Sequence, residues 1–254
     1  MLPLLIDLDG VLRINKQPAP KLEQLMKYIK DADLPACIIS NSTLSTDADV
    51  KEFFAFHDVD CSMPVMTASS AAAIYAKQNY RHVAVYCTER IKNIFAEILD
   101  YDNPQAVVIG DYGKNWNFKT MNEIFLKVFN GADLIAMQEK RYWYTSEEGL
   151  LLDVGPFVKA IEYAAGKKAT LIGKPSPHYF QSALKLLKFP EDAKFIMVGD
   201  DLETDILGAQ KLGATTILMF SGITKRPLPA DSHVKSDYEA DDLEQLIGVL
   251  ETLN

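Results

Sequence analysis

Short apolar runs alternate with amphipathic stretches along most of the chain, and this alternation organises everything else. Leu4–Leu8 is an apolar run that ends in acids, and Pro20–Ala32 follows with Leu22, Leu25, Met26 and Ile29 at helical spacing. Pro35–Ile39 is a second apolar run, ending abruptly in Ser40-Asn41-Ser42-Thr43. The middle predicts helix over Ser69–Gln78, strand over Val83–Tyr86, helix over Ile91–Leu99 and strand over Ala106–Ile109. It continues with helix over Phe118–Phe129, strand over Leu134–Met137 and helix over Gly155–Ala165. The later part predicts strands over Ala169–Ile172, Phe195–Val198 and Thr215–Met219, with helices over His178–Leu187 and Ile206–Leu212 between them. Leu243–Leu253 reads as a closing amphipathic helix, and Lys225–Asp237, polar with two prolines, as a surface loop. Strands of this length alternating with helices predict βαβ units, an α/β fold and a parallel sheet.

Composition narrows the class. At 254 residues, one large domain or two unequal ones are expected, and 48% hydrophobic residues supply a sizeable core. The net charge of −9 argues against nucleic acid as a partner, since phosphate neutralisation needs clustered Lys and Arg. It leaves room for small phosphorylated substrates, because a bound divalent cation reverses the local field. Cys37, Cys61 and Cys87 are widely spaced and form no CxxC, so reduced thiols in a cytoplasmic protein are expected. MLPLLIDLDG lacks the pattern of a signal peptide, and no apolar run reaches the roughly 18 residues of a membrane span.

In a parallel sheet, ligands bind outside the carboxyl ends of the strands. Four such ends carry polar chemistry. Asp7-Leu8-Asp9-Gly10-Val11 brings two carboxylates together, which is costly without a cation or proton between them. The pair fits a hard metal or a carboxylate nucleophile with an acid/base neighbour, and equally a turn or calcium-loop fragment. Ser40-Asn41-Ser42 fits either phosphate-oxygen binding or helix capping. In Gly173-Lys174-Pro175-Ser176-Pro177 a lone ammonium follows a strand, either aimed at a carboxylate and a phosphate or simply solvated before a proline-started helix. Gly199-Asp200-Asp201-Leu202-Glu203-Thr204-Asp205 packs four acids into six residues, a cation-site signal whose bland reading is a solvated, capped loop. The order of the four, each at a strand end, favours function.

These four segments resemble the signature motifs of the haloacid dehalogenase (HAD) superfamily, and the insertion of about a hundred residues between the second and third resembles its NagD-like branch. Arg141-Tyr142, Gly149–Val158 and Gly173–Pro177 with Phe180 resemble the phospholysine phosphohistidine inorganic pyrophosphate phosphatases of that branch. The resemblance implies a Rossmann-like parallel-sheet core over 1–68 and 172–254 and an α/β cap over 69–171. It implies a phosphatase in which Asp7 attacks phosphorus to form an aspartyl-phosphate and Asp9 protonates the leaving group, then deprotonates water. Mg2+ would be held by the Asp7 carboxylate, the Asp9 main-chain carbonyl and Asp200, with Asp201 or Asp205 in support. Ser40, Asn41 and Lys174 would hold the phosphoryl oxygens. Asp9 is a departure from many members of the branch, which have another residue there, and Met137-Gln138-Glu139 departs from the Thr-Asn-acid sequence common in the cap. Phosphotransfer or mutase chemistry on the same scaffold, and non-catalytic binding of a phosphorylated ligand, are the rival functions. A small phosphorylated substrate (pyrophosphate, phosphoamide, nucleotide or sugar phosphate) is the expected partner, with no membrane and no nucleic acid, and an exposed cap face allows a homodimer. The run Tyr142-Trp143-Tyr144 is expected to pack within the insert.

Overall fold

The computed structural model describes residues 1–145, 148–228 and 232–253. The chain divides into two compact units, one of residues 1–40, 47–66 and 174–254, the other of 41–46 and 67–173.

The first unit is built on a six-stranded sheet in the order Tyr238–Ala240, Thr215–Met219, Ile196–Gly199, Leu4–Asp7, Ala36–Ser40, Val65–Thr67. The pairings from Tyr238–Ala240 through Ala36–Ser40 are parallel. Leu4–Asp7 is central and buried along its whole length, as a strand covered on both faces must be. Successive side chains point to opposite faces: Leu4 and Ile6 join a core with Leu22, Leu25 and Ile29 of helix Leu22–Asp31 and with Leu243, Leu246 and Leu250 of helix Leu243–Leu253. The register sets Asp7 beside Ile39 and Ile6 beside Val198. Asp7, Ser40 and the Gly199–Asp200 turn therefore emerge along one edge of the sheet, at the point where the chain order reverses.

The second unit has its own four-stranded sheet, Thr170–Leu171, Asp133–Ala136, Ala106–Ile109, Val83–Tyr86, all parallel. Its two faces are packed separately, one against Ala72, Ala76 and Phe95, the other against helices Phe118–Phe129 and Val154–Ala165.

Val83–Tyr86, Ala106–Ile109, Phe118–Phe129, Thr215–Met219 and Leu243–Leu253 occur where the hydrophobic pattern predicts them. Elsewhere the structure differs. In place of one helix over Ile91–Leu99 there is a single α-turn, Glu89–Lys92, then a 3-10 segment, Asn93–Ile98, because apolar residues every third or fourth position suit either coil. In place of a helix over Ile206–Leu212, a π-turn Leu202–Leu207 begins earlier, where the Asp201 carboxylate accepts from the backbone N–H groups of Glu203 and Thr204. Helix Asp47–Phe56, edge strands Val65–Thr67 and Tyr238–Ala240, and hairpin Tyr142–Thr145 with Gly149–Leu152 are additional to the predicted elements. Tyr142 and Trp143 stand half exposed on that hairpin rather than packed. Of the predicted loop Lys225–Asp237, residues 229–231 lie outside the described residues.

Candidate active site

Asp7 ends its strand nearly inaccessible to water, and its Oδ1 accepts from the Leu8 N–H at 2.8 Å. Lys174 begins the return into the first unit and is among its most completely buried side chains. The Lys174 ammonium lies 2.8 Å from Asp7 Oδ1 and 2.7 Å from Asp205 Oδ1. Asp205, fully buried, turns its other oxygen to the N–H groups of Asp200 and Asp201, both at 3.2 Å. One carboxylate thus braces the lysine and closes the turn that carries Asp200.

Asp200 is fixed from the opposite side. Its Oδ2 accepts from the Ile223 N–H at 2.6 Å, while Ser221 Oγ donates to the Gly10 carbonyl at 2.6 Å. Two glycines make room for it. A Cβ on Gly222 would lie 1.7 Å from Asp200 Oδ2, and one on Gly10 would lie 2.1 Å away. Gly10 also has φ +87, which side-chain-bearing residues rarely adopt.

Oxygens of Asp7, Asp200 and Asp205 all lie within 4.8 Å of one another, and all three residues are buried. Three carboxylates meet one ammonium, which leaves two negative charges uncompensated, the charge of one divalent cation. An all-oxygen set of this kind suits a hard ion such as Mg2+. The electrostatics agree: burial pushes the Asp7 carboxyl well above its usual range, Lys174 pulls it down, and Asp205 and Asp200 push it up again. For Lys174, burial favours the neutral amine, but Asp205 and Asp7 outweigh burial and hold it charged. A divalent ion would offset the burial, and the repulsion from Asp205 and Asp200, that otherwise favour a proton on Asp7.

The remaining sequence-predicted residues divide. Ser40 ends its strand beside Asp7 and is buried. Asn41 opens the second unit, where its Oδ1 lies so close to Gly173 that a Cβ there would be 2.6 Å away. Asp201 caps the following turn, and of the two it is Asp205 whose carboxylate lies in the acid cluster. Asp9 points its carboxylate outward, half exposed, into a two-pronged ion pair with Arg13. His178 is exposed at the start of its helix.

Three contributors escaped the sequence reading. Tyr179, buried, accepts from the Ser40 N–H at 3.2 Å, and its hydroxyl lies 2.7 Å from the Ser40 carbonyl and 2.6 Å from that of Met66. It fixes the strand end that presents Ser40. Ser221-Gly222-Ile223 follows a strand but carries no charge, so the search for charged strand ends passes over it. Arg13 opens the short strand Arg13–Ile14 two residues beyond the Asp7–Val11 motif and belongs to no motif itself.

A family model described as haloacid dehalogenase-like hydrolase matches residues 4–98, and a second, HAD-hydrolase-like, matches 171–246. The chain is 33% identical over 221 residues to haloacid dehalogenase-like hydrolase domain-containing protein 2 of Rattus norvegicus, covering 86% of this chain and 84% of the relative. It is 32% identical over 258 residues to phospholysine phosphohistidine inorganic pyrophosphate phosphatase of Bos taurus, covering 97% and 93%. Among solved structures, NagD from E. coli superposes with a TM-score of 0.83 at 25% identity, over 96% of this chain and 97% of that one.

Proposed function

The chain belongs to the haloacid dehalogenase-like hydrolases, with NagD among its structural neighbours, and on that footing we propose that it is a magnesium-dependent phosphatase of small phosphorylated compounds with Asp7 as nucleophile. The observation that carries this reading is the Lys174 ammonium set between Asp7 and Asp205, with Asp200 in the same buried cluster.

Asp7 Oδ attacks phosphorus as the bond to the leaving oxygen breaks, giving an aspartyl-phosphate. Asp9 gives its proton to that oxygen, then takes one from the water that attacks phosphorus, which breaks the bond to Asp7, restores its carboxylate and releases inorganic phosphate. Lys174 holds the Asp7 carboxylate in line and offsets the repulsion between two anions, the main obstacle to carboxylate attack on a phosphate. Ser40 and Asn41 hold the phosphoryl oxygens, with Tyr179 steadying Ser40. The Asp7 and Asp200 carboxylates and the Asp9 main-chain carbonyl would hold Mg2+, with Asp205 in support. Bound there, the ion supplies electrostatic stabilisation of the charge shared between carboxylate and phosphoryl group. The inserted segment 69–171 is read as the cap that selects substrate, in a cytoplasmic enzyme.

Hydrolysis of p-nitrophenyl phosphate with Mg2+ tests the reading. Asp7→Asn is expected to reduce kcat on the order of 10⁴-fold or more while the circular dichroism spectrum is kept. Retained activity in a folded Asp7→Asn protein would remove the nucleophile, and a Mg2+-independent rate would remove the cofactor.

A further inference from the structure

Both oxygens of Asp9 are in use. Arg13 Nε donates to Oδ1 at 2.7 Å and a terminal guanidinium nitrogen to Oδ2 at 2.9 Å, the fork geometry that suits carboxylates and phosphates. The arginine does not depend on Asp9 alone for its place. Its guanidinium carbon sits 5.3 Å from the centre of the Phe53 ring, within cation–π range. Phe53 is itself held edge-on by Phe54 and His57, at 5.4 and 4.8 Å. The Arg13 carbonyl accepts from the Gly10 N–H at 2.8 Å, and Gly10 abuts Asp200, so the arginine belongs to the turn that builds the site.

A carboxyl group that protonates a leaving oxygen needs one oxygen on that atom. In the usual syn acid the proton occupies a lone pair that the guanidinium uses, so protonation displaces one arm of the fork. The fork and the acid step therefore compete, and the fork opens in every turnover. When it opens, Arg13 loses charge-assisted hydrogen bonds yet stays on Phe53, beside the leaving group that Asp9 now serves. An anionic leaving group restores those bonds; a neutral one does not.

We propose that Arg13 is a specificity-determining residue, which exchanges the Asp9 carboxylate for a second anionic group on the substrate and so favours compounds whose leaving group carries its own negative charge. This rests on the acid/base role given to Asp9 above. It makes release of the acid and recognition of the substrate one event.

Phosphoglycolate and ethyl phosphate differ by a carboxylate on otherwise similar leaving groups, which makes them the probe pair. With Mg2+ present, the wild-type protein is expected to have the higher kcat/KM for phosphoglycolate. Arg13→Met, which keeps a long apolar side chain against Phe53 but has no fork to give up, should raise kcat/KM for ethyl phosphate about ten-fold or more and leave phosphoglycolate within about three-fold. Arg13→Lys, with charge but no fork, should fall between. An equal fall on both substrates would mark a structural role and overturn the proposal. So would an unchanged ratio, or a wild-type protein that turns over neither compound or does not favour the carboxylate. Asp9→Asn separates the two readings: it should slow both substrates about 10²-fold or more. Unimpaired ethyl phosphate turnover in that variant would remove the acid/base role, whereas a failed Arg13 ratio leaves that role standing.

Discussion

Lys174 is the residue on which the cluster's stability and its chemistry both turn. It is a fully buried ammonium between two carboxylates, and the energy of such an arrangement is lopsided. Removing the cation leaves Asp7 and Asp205 facing each other without compensation in a site that excludes water. Removing Asp7 instead leaves Lys174 still paired with Asp205 and takes one anion out of an over-negative cluster. Lys174→Met should therefore cost about 3–5 kcal/mol of unfolding free energy without metal near neutral pH. Asp7→Asn should cost far less, although both should abolish turnover. Urea denaturation of the two variants measures the difference, and equal losses would show that the ammonium is not what balances these acids.

Among the elements, the loops at the strand ends are tuned more finely than the strands. Asp200 is aimed by the turn it starts, through Asp205, and by the Ser221–Ile223 loop that closes over it. Gly222→Ala puts a methyl group into the space of the Asp200 carboxylate and adds no charge, so it should displace Asp200 and lower affinity for Mg2+ at least about ten-fold, read by titrating activity with the ion. Wild-type Mg2+ affinity in Gly222→Ala would mean that the loop gives way and Asp200 is not held by it. The same contrast explains what could be read from the sequence. Leu4–Asp7 and Ile196–Gly199 declare themselves because a strand buried on both faces must be apolar and its polar end stands out. Asp7 and Asp200 are legible for the same reason, whereas Lys174 follows the half-buried edge strand Thr170–Leu171 and is legible only as a lone ammonium between glycine and proline. Helix Asp47–Phe56 was not, since it buries only Val50 and Phe54 and shows little periodicity. Edge strand Val65–Thr67, three residues long, falls below any window in which alternation can be seen. Tyr179 and Arg13 act through contacts with Ser40 and Asp9 that spacing does not encode, and Asp201 and Asp205, four positions apart in one acidic run, take different tasks that only the backbone of the turn decides.

At the scale of the whole chain, the acid cluster ties stability to pH and to metal with a definite sign. Burial, opposed by Lys174 and reinforced by Asp205 and Asp200, raises the Asp7 carboxyl in the folded protein above its value in the unfolded chain. Between those two values the folded form binds more protons than the unfolded one, so the metal-free protein loses stability as pH rises through the interval. The raised lysine acts with the same sign, but only above the ordinary lysine range, where neutral assays do not reach. Mg2+ competes with the proton for Asp7, so the stabilisation it confers should grow as pH rises, and approach about 2.7 kcal/mol at a hundred times its dissociation constant. The cluster belongs to one of the two units, while both tryptophans, Trp116 and Trp143, lie in the other, so calorimetry rather than tryptophan fluorescence is the measurement to follow. The melting temperature should rise with Mg2+ more at about pH 7.5 than at about pH 5, and Asp200→Ala should abolish the rise at both. A shift that is the same at the two pH values, or that survives in Asp200→Ala, would place the ion somewhere other than among these acids.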